Sequence, residues 1–270
     1  MKNIKLIILL FLFFISCKEK NNSVSISLKN NSVPTLDYEV SGYHPHDTTS
    51  FTEGFLVYKG DLYESTGATE DLPQTKSLFG VVDLKTGKIQ TKVEIDKIKY
   101  FGEGITFLNG KIYQLTYKTK IGFVYDVHSF KKIEDFIFPS NEGWGLSNDG
   151  KNLIMSDGTN GLTYLNPNDF KVVKTISVTE NNIAQQNLNE LEYINGYIYA
   201  NIYTTNQIVK INPQNGNIIG KIDVTSLANE VKNIYTNSLE TNGIAFDSIS
   251  DRIYITGKLW PKIYEIKFKH

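Results

Sequence analysis

The chain repeats one short pattern five times, and that repeat limits its fold more than any other feature. Glu53-Gly54 opens EGFLVYKGDLYES, Glu103-Gly104 opens EGITFLNGKIYQL, Trp144-Gly145 opens WGLSNDGKNLIMS, Glu190-Leu191 opens ELEYINGYIYANI, and Asn242-Gly243 opens NGIAFDSISDRIYIT. Each segment is an apolar run, a tight turn and a second apolar run. Turns such as Lys59-Gly60, Asn109-Gly110 and Asn195-Gly196 place glycine where a two-residue hairpin needs a positive φ. The five starts lie 50, 41, 46 and 52 residues apart. A third run and turn follow each pair: FGVVDLKTGK, GFVYDVHSFKK, LTYLNPNDFKV, IVKINPQNGN and KIYEIKFK. The first four continue into a fourth run, IQTKVEI, IEDFIF, VVKTISV and IIGKIDV, whereas the fifth stops at His270. The mature region holds no convincing amphipathic helix; the best candidate, Val224–Lys232, is short.

Self-similar units of roughly 40–50 residues with about four strands each are the signature of radial repetition. The fifth unit lacks an outer strand, and an unassigned strand, Leu36–Tyr43, precedes the first unit. Pairing the two closes the ring and removes exposed sheet edges. The expected fold is therefore all-β: a five-bladed β-propeller closed by an N-terminal strand in the last blade. A β-sandwich is the alternative, which the regular turns and the split fifth unit disfavour. In a propeller the first strand of every blade lines the axis, so five sets of loops converge on one mouth.

The start of the chain reads differently. Lys2 and Lys5 form a short basic region, and Ile4–Ile15 is an almost wholly apolar run, too short to span a bilayer but suited to a signal-peptide core. Ser16-Cys17 then reads as a lipoprotein cleavage box, with Phe14 where Leu is usual; an uncleaved anchor or an ordinary secretory signal are the alternatives. Residues 1–17 are expected to be a signal peptide with lipid on Cys17, 18–32 a flexible tether rich in Asn, Ser and Lys, and 33–270 the propeller domain. The protein is thus expected to be exported and lipid-anchored at the bacterial cell envelope, touching membrane through the lipid alone. Cys17 is the only cysteine, so the domain has neither disulfides nor a thiol nucleophile. A formal net charge of −1, with both signs spread along the chain, leaves no basic stripe for nucleic acid.

The units open with polar or aromatic residues: Glu53, Glu103, Trp144, Glu190 and Asn242. A carboxylate at the start of an inner strand, packed by aromatics, is desolvated, which raises its pKa toward that of a neutral-pH proton shuttle. The plainer reading is that these residues tie blades together by hydrogen bonds. PHDTTSFTEGF, LYESTG, YFGEGIT, YQLTYK, GFVYD, EGWGLSNDGKNLIMSDG, LNELEYINGYIYAN and NGIAFD followed by ITGKLWPK, in that order from about His44 to Ile266, resemble the glutamine cyclotransferase family, the plant and bacterial type, which has a five-bladed propeller fold.

The resemblance implies an enzyme that converts the N-terminal glutamine of peptides or proteins to pyroglutamate and releases ammonia. It also implies the site residues. Glu103, in GEG, matches the catalytic acid/base; Phe51, Phe101 and Trp144 match pocket aromatics; Asn189, in NELE, matches a polar site residue and Lys258, in GK-x-WPK, a basic one. Tyr117 and Tyr203 stand where the family often has Trp, and Glu53 where it commonly has Gln. The reaction requires no cofactor and no metal; a structural cation in the axial channel stays open. On the residues alone, Trp144 has an alternative as inter-blade core, Lys258 as a surface cation–π partner of Trp260, and Asn189 as a cap. Asp157 before Gly158 reads as a turn residue, and His44-Pro-His46 as a poor chelate. A non-catalytic, lipid-anchored binding module is the competing function, with a metal-dependent propeller lactonase or lyase behind it.

Overall fold

The computed structural model describes residues 32–270; the expected signal segment, Cys17 and the expected tether up to residue 31 lie outside the described residues. Five four-stranded antiparallel sheets form the blades. Blade 1 is Thr52–Tyr58, Asp61–Thr66, Leu78–Val82 and Ile89–Glu94; blade 2 is Gly102–Leu108, Lys111–Thr116, Ile121–Asp126 and Lys132–Ile137. Blade 3 is Leu146–Asn148, Leu153–Met155, Gly161–Leu165 and Val172–Ser177; blade 4 is Leu188–Ile194, Tyr197–Ile202, Gln207–Ile211 and Ile218–Asp223. Blade 5 is Thr241–Asp247, Arg252–Gly257, Lys262–Lys267 and, from the N-terminal side, Glu39–Pro45. The first strands contact one another around the axis.

The core lies between blades rather than within them, because a single four-stranded sheet has two apolar faces to cover. Leu56, Tyr63 and Phe79 of blade 1 pack against Ile105, Phe107 and Tyr125 of blade 2. Phe55 and Leu62 pack against Ala245, Tyr254 and Ile263 across the seam between blades 1 and 5. Within blade 5, Glu39 faces Lys267, Tyr43 faces Tyr264 and Pro45 faces Lys262, in an antiparallel ladder. The strand starts three residues later than the sequence suggests. Residues 34–36 are held elsewhere: Leu36 N donates to Lys221 O at 2.7 Å, and Lys221 N to Pro34 O at 3.0 Å, on the outer strand of blade 4.

One element runs against the sequence reading. Thr225–Ile234 is an α-helix that buries Leu227 and Val231 between blades 4 and 5. Its apolar period covers under three turns and no side chain caps its N-terminus, so it depends on tertiary packing. The helix accounts for the longest interval between units.

The inner strands begin with a register break. Pairing shifts between Thr52 and Gly54, Gly102 and Ile105, Leu188 and Leu191, and Thr241 and Ile244. Such bulges re-aim a side chain at the end of a strand. Glu53, Glu103, Asn189 and Asn242 are each the second residue of their strand, so Asn189, not Glu190, is the equivalent of the two glutamates. The next position is Gly54, Gly104 and Gly243, with Gly145 serving blade 3. Here neighbouring backbones nearly touch: a Cβ on Gly104 would lie 2.3 Å from Leu146 N, and one on Gly145 2.1 Å from Asn189 O. Glu190 alone carries a side chain at this level. Its carboxyl accepts Phe55 N–H at 3.2 Å and Ile244 N–H at 2.8 Å, joining blade 4 to blades 1 and 5. Glu190→Gln keeps the shape but has one acceptor oxygen for two amides. It should cost about 1–3 kcal/mol, read in a thermal melt as a Tm lower by roughly 3–10 °C; an unchanged Tm would remove Glu190 from the hub.

Candidate active site

Above this hub lies a cavity of about 180 Å³ lined by Phe51, Glu53, Phe101, Glu103, Tyr117, Trp144, Asn189, Tyr203 and Lys258. All nine residues singled out in the sequence therefore meet at one mouth of the axis. Glu53, Glu103 and Asn189 point there because each occupies the bulge of its inner strand. Lys258 arrives by another route. A tight turn after the second strand of blade 5 reverses the chain at Leu259, which has φ +58°; Leu259 N bonds Ser50 O at 2.8 Å, and Lys258 N bonds Glu240 O at 3.1 Å.

Lys258 is nearly buried and ion-paired. Its Nζ lies 2.8 Å from Glu53 Oε1 and 3.5 Å from Glu240 Oε1, and over the rings of Phe51 and Tyr203 at 4.5 and 5.2 Å. Trp260 faces the other way, fully buried, with Nε1 donating to Leu239 O at 2.9 Å. The surface pairing of Lys258 with Trp260 is thus excluded. Glu53 Oε2 accepts from Asn242 Nδ2 at 2.9 Å, and that amide also reaches Thr52 O. Burial pushes the Glu53 carboxyl up to about 7 against the pull of Lys258.

Glu103 differs from Glu53 in having no such partners. It is 4% exposed, and its carboxyl makes no hydrogen bond to the described residues. Burial first, and then the Glu53 charge, hold it well above the usual carboxylate range, with Lys258 opposing. Asn189 is also buried, and its Oδ1 has no protein partner. It lies inside a strand and caps nothing. The cavity thus holds a carboxyl able to carry a proton and an amide whose oxygen is an unpaired acceptor and whose Nδ2 is a donor.

The walls are aromatic and held from behind. Phe51 and Phe101 meet edge-on at 5.8 Å, Phe101 lies 5.9 Å from Tyr117, and Trp144 meets Tyr203 edge-on at 5.3 Å. Phe101 lies against Gly67, where a Cβ would fall 2.0 Å from the ring; Trp144 lies against Gly158, where it would fall 2.7 Å away. Trp144 is only half-buried and lines the cavity rather than an inter-blade core. Its Nε1 donates to Glu142 at 3.0 Å, and Glu142 pairs with Lys118, whose ammonium covers Tyr117 at 4.5 Å. Glu142, Lys118 and Glu240 did not stand out in the sequence, because ordinary surface glutamates and lysines look the same. Asp157 accepts from Thr159 N and Oγ1 in a turn. His44 and His46 bind separate partners, Glu265 and Glu64, and among the described residues no cluster of three His, Cys, Asp or Glu could hold a metal. A second cavity, about 380 Å³, opens near the other ends of the inner strands, where burial pushes Glu192 up to about 8 and its carboxyl accepts Phe246 N–H.

The family model for glutamine cyclotransferases matches residues 8–268. A glutaminyl-peptide cyclotransferase of Arabidopsis thaliana is 38% identical over 261 residues, covering 96% of this chain and 79% of that protein. The crystal structure of Myxococcus xanthus glutaminyl cyclase superposes with a TM-score of 0.78 at 29% identity, over 87% of this chain and 98% of that one. With its fold and its sequence in agreement over nearly the whole of its length, the chain belongs to the glutamine cyclotransferase family.

Proposed function

We propose that this protein cyclises the N-terminal glutamine of peptides to pyroglutamate, with Glu103 as the proton carrier. The observation that carries this reading is the Glu103 carboxyl: buried, without a protein partner, and facing a small aromatic cavity beside a lysine. In the reaction the substrate α-amine attacks its own γ-carboxamide carbon. The new C–N bond closes a five-membered lactam, the old C–N bond breaks, and ammonia leaves. The amine must attack in its neutral form, and its ordinary pKa is about 8. A Glu103 carboxylate held at a raised pKa takes the proton from the bound ammonium. It then passes that proton to the departing nitrogen and takes one from the attacking nitrogen; the departing ammonia carries this last proton away as ammonium, and Glu103 returns to its carboxylate. Charge that builds on the carbonyl oxygen meets donors from Asn189 and Lys258, a type of contact worth a few kcal/mol. Phe51, Phe101, Tyr117, Trp144 and Tyr203 hold the side chain folded back on its own amine, which lowers the entropy lost on ring closure.

A cavity of about 180 Å³ suits the first residue or two of a peptide, with the remainder leaving through the mouth. The leader sequence Lys2–Cys17 supports a setting outside the cytoplasm, with residues 33–270 held to a membrane by lipid on Cys17 through a short tether.

Incubation with a Gln-initiated peptide should release ammonia with the matching mass loss; a binding module would release none. Glu103→Gln should lower kcat by about 10²–10⁴-fold, the usual worth of general acid–base catalysis, while Asn189→Ala and Lys258→Ala lose less. Stability gives a second reading of the same group. A carboxyl whose folded pKa is raised stabilises the fold below its unfolded pKa, and that contribution is lost as pH rises through the folded value. Glu103→Gln, which does not titrate, should therefore gain stability over the parent as pH rises above the ordinary carboxylate range, measured by denaturant melts across pH. Glu53→Gln removes the charge that raises Glu103 and leaves Lys258 less neutralised. Both effects lower the Glu103 pKa, so the kinetic limb that reports it should move to lower pH; an unmoved limb would show that the two carboxyls do not communicate.

A further inference from the structure

The reaction just proposed makes no use of a second buried ionic pair directly beneath the site. His46 and Glu64 both have side chains that are 0% exposed. His46 Nδ1 lies 2.8 Å from Trp260 O, and Nε2 lies 3.1 Å from both oxygens of Glu64. With Glu64 ionised, a carbonyl oxygen and a carboxylate both accept hydrogen bonds, so each ring nitrogen donates, which is the imidazolium form. Thr52 Oγ1 donates to Glu64 Oε1 at 2.7 Å, completing the network, and Thr256 Oγ1 lies 3.3 Å from Nδ1.

The position of this pair gives it a task. Trp260 is two residues after Lys258, and Thr52 is one residue before Glu53. A continuous path therefore runs from Lys258 through the Leu259 turn to Trp260 O, across His46 to Glu64, and through Thr52 to Glu53. The two ends of the path meet again as the Glu53–Lys258 ion pair at 2.8 Å. We propose that His46, as an imidazolium clasped between Trp260 and Glu64, is a positioning residue that sets the Glu53–Lys258 pair, and that loss of its proton releases the Lys258 turn. The proposal rests on the cyclotransferase reading of the site for its kinetic consequence only.

The charged groups facing the ring are Glu64, from the second strand of blade 1, and Asp47, which follows His46 and is itself paired with Lys88 at 2.8 Å. Burial disfavours the cation, but Glu64, the bond to Trp260 and Asp47 outweigh it, and His46 is held above its ordinary value. The stability that the clasp contributes is therefore present below the ordinary imidazole range and lost as pH rises through the raised value.

The experiment follows histidine ¹⁵N resonances, the Lys258 ζ-ammonium resonance and ammonia release from a Gln-initiated peptide across pH, in the full chain. Both ring nitrogens of His46 should carry protons at neutral pH, and kcat should fall along the curve on which His46 loses one. His46→Leu should lower kcat by about 10²-fold, the cost of a small misplacement, with little change in KM and faster exchange at Lys258. His46→Asn returns a donor to Trp260 O without a titrating group. It should recover most of the activity and lack the alkaline limb. That limb is also the deciding readout if the leucine variant does not fold, because a merely structural histidine would leave it in place. A neutral His46 at pH 7, or an alkaline limb unchanged in His46→Asn, overturns the proposal. A parent that releases no ammonia overturns the cyclotransferase reading instead, while the ¹⁵N titration and Lys258 exchange still decide the clasp.

Discussion

Everything in this molecule depends on how closely five inner strands approach one axis. At one level the backbones of blades 1, 2, 3 and 5 come together at Gly54, Gly104, Gly145 and Gly243, and a methyl group on Gly104 or Gly145 would collide with the next blade's backbone. The carboxyl of Glu190 fills the space that remains and satisfies two amides of other blades. A ring of this kind has no separate core at its centre; hydrogen bonds to the backbone take the place of apolar packing, and inter-blade clusters supply the hydrophobic stabilisation farther out. The hub also forms the floor of the cavity. In blades 1, 2 and 4 the residue before the hub position sits in a bulge and turns toward the mouth, so the packing that closes the ring is what gathers Glu53, Glu103 and Asn189.

That convergence creates an electrostatic difficulty that the site exploits. Glu53, Glu103 and Glu240 share their surroundings with a single buried ammonium, and burial disfavours the ionised carboxyls of Glu53 and Glu103. Lys258 goes to Glu53 and, more distantly, to Glu240. Glu103 is left without a counterion and retains its proton to higher pH. A group of this kind weakens the fold at neutral pH relative to an amide, which is the expected signature of a residue kept for chemistry rather than for stability.

Much of this was legible in the chain, for reasons that can be named. Asn-Gly and Lys-Gly turns fix hairpins locally, so blades could be counted from turn spacing alone. The missing fourth run of the last unit pointed to the strand ahead of the first. The motif-bearing site residues were legible too, because their neighbours in GEG, NELE and GK-x-WPK are distinctive. What failed to show was what depends on tertiary geometry. The bulge that makes Asn189 rather than Glu190 the equivalent of Glu103 is a one-residue shift, invisible when ELEY is aligned by eye with EGIT. The helix Thr225–Ile234 has too short an apolar period to announce itself. Glu142, Glu240 and Lys118 gain their roles only from what they touch, and His46 looked like half of a poor metal chelate until Trp260 and Glu64 were seen on either side of it.

Glu53 changes what the lysine beside it can contribute. An ammonium has three N–H bonds and no acceptor. In this chain one is directed at Glu53 at 2.8 Å, another is within reach of Glu240 at 3.5 Å, and the ammonium itself lies over the rings of Phe51 and Tyr203. Lys258 therefore meets the cavity with its orientation fixed and its net charge largely cancelled. It retains a donor for an oxyanion but supplies less unbalanced positive potential than it would beside a glutamine. The weight of stabilising developing charge then moves toward the uncharged amide of Asn189. Preorganisation rather than net charge becomes the contribution of this wall, and that explains why the structure invests a second buried ion pair, His46–Glu64, in holding the two ends of the first.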